Sequence, residues 1–464
     1  MESATSFSGL SLSKISAGVD QPKNAPLIME TLGTTIITVT AGLLGKADMS
    51  PGLKALGVAA VLMPLIHAGA RVSGANYNPS ISVALLLLGK MPPAQCLFYI
   101  SCQLVGALIG GVLTKVLLPQ GAMDPSSVGT IATCVPEALF SFALILTALQ
   151  TTVSKSQSRN SFFGSAISIV VFLGVAFGAG MNPAVAGGLF AGAGHQKGLL
   201  ARTILPLIMT FPAAFFFRLT DIDETYAREM GLVPSVSAAF VRAYGPYLIE
   251  LVGSFLLTTT IGLALVTKNL PIPLAAGLAL TFLAFGSGYV SGAHLNPAVS
   301  LGVYLRNARR IRMQKLAGYA SIQVLGALAS GAMLRYVVGA GALEGRYSVP
   351  RAVISCGQAF AVEALFTCMM VSTILHINAS TGYQGNQCNG LVVGLALMGG
   401  LLITDVVGGG LLNPAAVLGL SVSNVAFERH ARRRVAIFIG APFVGAILGN
   451  LTVMLTSPPE IGKK

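Results

Sequence analysis

Four Asn-Pro pairs carry the residues with the most to do in this chain. They are Asn78-Pro79-Ser80, Asn182-Pro183-Ala184, Asn296-Pro297-Ala298 and Asn413-Pro414-Ala415. Each opens an apolar run, and each reads as a helix start. Asn is a preferred N-cap, and Pro suits the first helical position, where its missing N–H costs nothing. A helix that begins inside a membrane-type sequence aims its free N–H groups and positive dipole end at something buried. One such pair is weak information, because any helix can begin this way; four at matched places are a plan. A glutamate stands upstream of each, near the start of an earlier apolar run. These are Glu30, Glu137, Glu250 and Glu363, lying 48, 45, 46 and 50 residues before the four asparagines in turn. An unpaired carboxylate at the bilayer centre costs at least about 2.5 kcal/mol, so each needs a stated partner.

The elements that must position these residues are built for lipid. The 464 residues are 54% hydrophobic and only 10% charged, whereas a soluble domain carries about a quarter charged residues. About twelve apolar stretches approach the roughly 20 residues that cross a bilayer. The net charge of +13 does not mark a nucleic-acid binder, since the basic residues are scattered through short loops with no aromatic-interleaved groove. The six cysteines stand apart, mostly in apolar runs, and read as small core residues. No metal site, cofactor or catalytic constellation is expected, and the chain does not read as an enzyme.

The chain repeats. Quarters one and three match, as do two and four: Gln103-Leu104-Val105-Gly106-Ala107-Leu108 recurs as Gln323-Val324-Leu325-Gly326-Ala327-Leu328. The spacing predicts an all-α membrane protein of two tandem bundles, each of six transmembrane helices plus two re-entrant half-helices. Expected helices are 27–46, 52–72, half-helix 79–89, 93–118, 132–153, 160–178, half-helix 183–193 and 199–217. The second half should hold 245–267, 272–290, half-helix 297–306, 314–338, 352–376, 388–407, half-helix 414–423 and 433–456. The expected division is a polar tail over 1–26, a first unit over 27–217, a polar linker over 218–243, a second unit over 244–456 and a tail over 457–464. The half-helices are too short to span. Non-helical backbone at membrane depth is tolerated only where it is buried in protein or lines a watery cavity, so each half should enclose a pore or polar cavity.

Ser291-Gly292-Ala293-His294-Leu295-Asn296-Pro297-Ala298-Val299, with Gly440-Ala441-Pro442-Phe443-Val444-Gly445 further on, resembles the signatures of the major intrinsic protein family, the aquaporins and glycerol facilitators. The likeness covers about 27–217 and 244–456, so the chain resembles two members fused. The resemblance implies that the half-helices of each unit meet end to end at the midplane, pairing Asn78 with Asn182 and Asn296 with Asn413. Each Asn would keep its amide N–H₂ to donate to a passing oxygen, and the helix dipoles would repel cations and protons. It also implies that Glu30, Glu137, Glu250 and Glu363 accept hydrogen bonds from the loops that carry the half-helices. His294, with Asn76 at the matching place in the first half, is a possible pore-lining residue: a pH gate or a loop-holding side chain.

Counted without gaps, the family's narrow filter falls at Val58, Val170, Ala179 and Val185 in the first half, and at Ala276, Leu401, Gly410 and Ala416 in the second. Family filters keep an aromatic and an arginine; this chain has neither at these places. An apolar ring of small side chains is wider and offers few hydrogen bonds to replace hydration. The expectation is a passive channel in a lipid bilayer for water and small neutral solutes such as glycerol or urea. A non-conducting membrane scaffold of the same fold and an ion-coupled secondary transporter are the alternatives. The family's four-fold assembly implies a homodimer of this fused chain, closing a tetramer-like ring of four pores. No nucleic-acid partner is expected, and no motif names the membrane.

Overall fold

The computed structural model describes residues 22–117, 130–193, 198–223, 231–306, 312–339, 355–379, 386–407, 410–422 and 429–456. The two expected tails therefore fall almost wholly outside the described residues. The chain divides into two compact units, Met1–Ala243 and Tyr244–Lys464. In the first, α1 (Ala25–Lys46) and α2 (Pro51–Gly69) lead to the half-helix α3 (Pro79–Leu87), followed by α4 (Pro93–Leu117), α5 (Thr130–Thr152) and α6 (Phe163–Ala176). The half-helix α7 (Pro183–Ala193) comes next, then α8 (Leu199–Ile208) and α9 (Thr210–Thr220). In the second, α10 (Ala238–Thr267) and α11 (Ile272–Ser291) lead to the half-helix α12 (Pro297–Arg306), α13 (Met313–Val338), α14 (Cys356–Ala379) and α15 (Asn389–Val407). The half-helix α16 (Pro414–Val422) and α17 (Arg429–Thr456) close it.

Ten stretches among the described residues are long and apolar enough to cross a membrane, with α8 and α9 counted as one. This is fewer than the twelve expected, and α6 shows why. It has 14 residues, about 21 Å at the helical rise, against a hydrocarbon core of about 30 Å. The expected helix over 160–178 is too long at both ends. Gly178 at φ 90° breaks the helix, and the chain runs on without helical structure to the start of α7. The half-helices α3 and α7, of 9 and 11 residues, are about 14 and 16 Å long, so each reaches about half way through.

Polarity is inverted relative to a soluble protein. On α4, Leu97, Leu104, Leu108 and Val112 are 66%, 50%, 50% and 49% exposed, while Gln103 is fully buried. An apolar outer face is the rule where lipid is the solvent. The small residues of the repeated Gln-x-x-Gly motif bring helices close. A Cβ on Gly106 of α4 would strike the Thr31 carbonyl of α1, and one on Gly326 of α13 would strike the Leu251 carbonyl of α10. Both glycines allow the axes to approach at van der Waals distance.

Two expectations change at the end of the first unit. The single helix expected over 199–217 is broken between α8 and α9. Pro212 has no N–H to give the Ile208 carbonyl, which weakens the ladder at that point, and the second piece then runs on to Thr220. The expected linker is correspondingly shorter, because α10 already begins at Ala238. Arg218 is 4% exposed. Its guanidinium donates to the Val233 carbonyl and, at 3.3 Å, to the Leu88 carbonyl. The Val233 N–H reaches the Leu87 carbonyl at 3.2 Å. A cation at the C-terminal end of α3 suits the helix dipole and ties this polar stretch onto the first unit.

Candidate functional site

Each half-helix hangs from a buried carboxylate. In the first unit, Glu30 Oε1 accepts from the Ser73 hydroxyl at 2.6 Å and the Asn76 N–H at 3.0 Å. Its Oε2 accepts from the Tyr77 N–H at 2.7 Å and the Gln103 amide at 2.8 Å. The second unit repeats this residue for residue. Glu250 Oε1 accepts from Ser291 Oγ at 2.6 Å and the His294 N–H at 2.9 Å; Oε2 accepts from the Leu295 N–H at 2.6 Å and the Gln323 amide at 2.7 Å. The loops before α7 and α16 have simpler anchors. Glu137 takes the Gly180 and Met181 N–H groups at 2.6 Å each, one per oxygen. Glu363 takes the Leu411 and Leu412 N–H groups at 3.1 and 2.6 Å, both on Oε1.

The loops need these anchors because their backbone is strained. The residue before each Asn is left-handed and is not glycine: Tyr77 at φ 49°, Met181 at 56°, Leu295 at 49° and Leu412 at 54°. Such a conformation costs about 1–3 kcal/mol, comparable to the 1.5–3 kcal/mol of a hydrogen bond to a charged group. In all four, the N–H of the left-handed residue is one that the glutamate holds.

That twist presents the carbonyls of these four residues to the opposite loop. Asn78 Nδ2 donates to the Met181 carbonyl at 2.8 Å and Asn182 Nδ2 to the Tyr77 carbonyl at 2.9 Å. In the second unit Asn296 donates to the Leu412 carbonyl and Asn413 to the Leu295 carbonyl, each at 2.8 Å. The structure thus brings Asn78 together with Asn182, and Asn296 with Asn413. Each Oδ1 caps its own half-helix: Asn78 accepts from the Ser80 N–H at 2.9 Å and Asn182 from the Ala184 N–H at 3.1 Å. Asn296 accepts from the Ala298 N–H at 2.9 Å and Asn413 from the Ala415 N–H at 3.0 Å. Pro79, Pro183, Pro297 and Pro414 occupy the first helical position throughout. One detail differs from expectation. The amides are not wholly free, since one hydrogen of each is committed across the junction and one remains.

His294 and Asn76 hold equivalent places. His294 Nδ1 lies 3.1 Å from Ser300 Oγ, and its ring meets Tyr319 edge to face at 5.3 Å. Asn76 Nδ2 donates to Ser82 Oγ at 3.2 Å. Each thus ties its loop to the half-helix that follows, and Asn76 also lines the cavity of the first unit.

That cavity measures about 1520 Å³. Both loops line it, Gly74–Asn78 from one side and Gly178–Asn182 from the other, and so do Val58, Ala179 and Val185 of the expected filter. Val170 does not. It is fully buried, and α6 turns Ile167, Val171 and Val175 to the cavity. The ungapped count is off by one there, and Val171 is the residue that shares the wall with Val58. In the second unit Ala276, Leu401 and Ala416 are at most 2% exposed. A Cβ on Gly410 would collide with the Glu363 carboxylate, so this position offers only backbone to any passage.

These features define a helical membrane protein whose two units each hold a pair of re-entrant half-helices joined at their N-termini. The chain belongs to the major intrinsic protein family, whose sequence model matches residues 25–214 and 236–453, and it is an integral multi-pass membrane protein. Among similar proteins, Glycerol uptake facilitator protein-like 6 of Lactiplantibacillus plantarum is 34% identical over 210 residues, which is 44% of this chain and 93% of that one. Aquaporin Z of Rhodopseudomonas palustris is 32% identical over 240 residues, 47% of this chain and 95% of its own. Aquaporin-1 of Rattus norvegicus is 35% identical over 194 residues, 40% of this chain and 67% of its own. The first two relatives are matched almost end to end by less than half of this chain, so each corresponds in size to one unit.

Sequence reasoning did not single out the left-handed residues Tyr77, Met181, Leu295 and Leu412. It saw Gln103 and Gln323 only as members of a repeat. That repeat was the usable signal: a Gln recurring at the same distance from Glu30 and from Glu250 is a hydrogen-bonding partner.

Proposed function

We propose that this chain is a passive channel for water and small neutral solutes, with one pore in each unit. The observation that carries the reading is the reciprocal asparagine junction, found twice with the same wiring. At each junction two helix N-termini and two remaining amide hydrogens converge where the re-entrant loops meet. Two donors and two positive dipole ends suit an oxygen-bearing neutral solute and disfavour a cation. The relatives named above are described as aquaporins and a glycerol uptake facilitator, which agrees with this reading.

The wall formed by Val58, Val171, Ala179 and Val185 in the first unit supports passage of solutes larger than water. No side chain of this ring donates a hydrogen bond, so hydration is replaced poorly and shape decides. The counted positions Ala276, Leu401 and Ala416 of the second unit are apolar as well, so a passage along them would offer no side-chain donor either. Two chains, each supplying two units, would close a four-pore ring as a homodimer. The test is stopped-flow swelling of proteoliposomes across water, glycerol, urea and ammonia. Flux above empty vesicles for water and at least one solute is expected, without saturation and without dependence on an ion gradient. Saturable, ion-coupled uptake, or no flux at all, would overturn the reading. A detergent-corrected mass of one chain or of four would overturn the dimer.

A further inference from the structure

The first pore lacks the family-type arginine at Val185, yet an arginine lines the same cavity from another element. Arg202 lies near the start of α8, at the side of the cavity where the Gly178–Asn182 loop approaches its asparagine, and it lines that cavity with Val58, Ala179 and Val185. It is half-buried. Its Nη2 donates to the Gly178 carbonyl at 3.4 Å. Its Nε is shielded from solvent and has no hydrogen-bond partner. Gly180 separates it from the loop's anchor: a Cβ there would sit 3.8 Å from Arg202 Cδ and 3.6 Å from Glu137 Oε2. The arginine stem and the Glu137 carboxylate thus flank the same stretch of loop.

We propose that Arg202 is the selectivity residue of the first pore. A guanidinium has five N–H donors in a fixed fork and no acceptor, and the structure records one long bond for it. The remaining Nη donors, though not the shielded Nε, are available to the carbonyl or hydroxyl oxygen of a neutral solute in this cavity. The positive charge, partly offset by the Glu137 carboxylate beside it, opposes a cation in the cavity before it meets the dipole ends of α3 and α7. This guanidinium comes from α8 and not from the half-helix, so it leaves room that an arginine at position 185 would fill. Urea-like solutes, small and rich in acceptor oxygen, fit this arrangement; alkylammonium ions of the same size do not. The inference rests on the channel reading given above.

The experiment compares wild type with Arg202→Met and Arg202→Lys in proteoliposomes, reading water, urea and methylammonium flux. Second-pore flux is common to all three, so any difference reports on the first. Arg202→Met should raise methylammonium flux about ten-fold, the scale of one unit charge about 12 Å from an ion at an effective dielectric of about 20. It should also lower the urea-to-water ratio. Arg202→Lys keeps the charge and loses the fork, so it should hold methylammonium near the wild-type level while the urea-to-water ratio still falls. If wild-type vesicles conduct and both variants fold yet leave all three fluxes unchanged, Arg202 is not the selectivity residue and the channel reading stands. A proportional change in all three fluxes would mark a structural role and overturn the inference. If wild-type vesicles move nothing, both readings fall together.

Discussion

Glu250 and Glu363 look alike in sequence, but the structure predicts different responses to the same substitution. Glutamine is nearly isosteric with glutamate, yet it offers one acceptor oxygen where the carboxylate offers two. Glu363 places both of its loop bonds on Oε1, and its Oε2 is buried without a partner. In Glu363→Gln the amide nitrogen can occupy the idle position: both loop N–H groups keep their acceptor, and one unpaired buried polar group replaces another. The cost is the change from charge-assisted to neutral hydrogen bonds, about 1 kcal/mol. Glu250 uses both oxygens, each for one backbone N–H and one side chain. In Glu250→Gln an amide nitrogen must face either the His294 or the Leu295 N–H. The Ser291 hydroxyl can turn to accept, but a backbone N–H cannot. One orphaned buried donor costs about 1–3 kcal/mol, and weakening of the remaining bonds brings the total to roughly 2–4 kcal/mol. The measurement is unfolding of the purified protein in a mixed-micelle SDS titration followed by circular dichroism, since the chain has no tryptophan. Equal losses for the two variants, or a larger loss for Glu363→Gln, would refute the argument from oxygen usage.

Three further outcomes follow from the same geometry. Because Tyr77 gives its N–H to Glu30 and its carbonyl to Asn182, Glu30→Gln and Asn182→Leu should be non-additive, with a coupling of about 0.5–3 kcal/mol in a double-mutant cycle; strict additivity would show that the two bonds are independent. Gly326→Ala forces a methyl group into the Leu251 carbonyl, and overpacking of this kind costs about 1–3 kcal/mol, read as a lower unfolding midpoint; an unchanged midpoint would mean that α10 and α13 separate freely. Ala416→Arg should reduce glycerol or urea flux more than water flux, since the new side chain takes volume in the second pore and offers donors that water uses more readily; a well-folded variant with an unchanged solute-to-water ratio would remove position 416 from the pore.

Much of this was legible in the sequence because it repeats. Four Asn-Pro starts and four glutamates at similar spacing mark loops and anchors, and apolar runs between them locate the helices to within a few residues. What was not legible has specific causes. The break near Met209 depends on which carbonyl Pro212 leaves unpaired, and an apolar run through Pro206 and Pro212 does not show whether the chain continues straight. The choice between Val170 and Val171 turns on the length of the non-helical segment after α6, which an ungapped count cannot supply. Tyr77, Met181, Leu295 and Leu412 carry no local preference for a left-handed backbone; tertiary hydrogen bonds impose it. Arg202 was passed over because it stands on a different helix from the position where an arginine was sought.

The wiring explains why the asparagines and glutamates come as sets of four. A glutamate holds the N–H of the left-handed residue in its own loop, and an asparagine from the other loop holds the carbonyl of that same residue. Each strained residue is therefore clamped from both sides by groups far apart in sequence, as Leu295 is by Glu250 and Asn413. Neither loop can settle without the other, because each asparagine needs a carbonyl that only the partner loop's twist presents. The surrounding wall, free of this mutual requirement, is where the two units differ in residue type: Val58, Ala179 and Val185 in one, Ala276, Gly410 and Ala416 in the other. Rigid junctions with variable walls are what a pore needs if proton and cation exclusion are fixed by backbone geometry while solute choice is set by side chains.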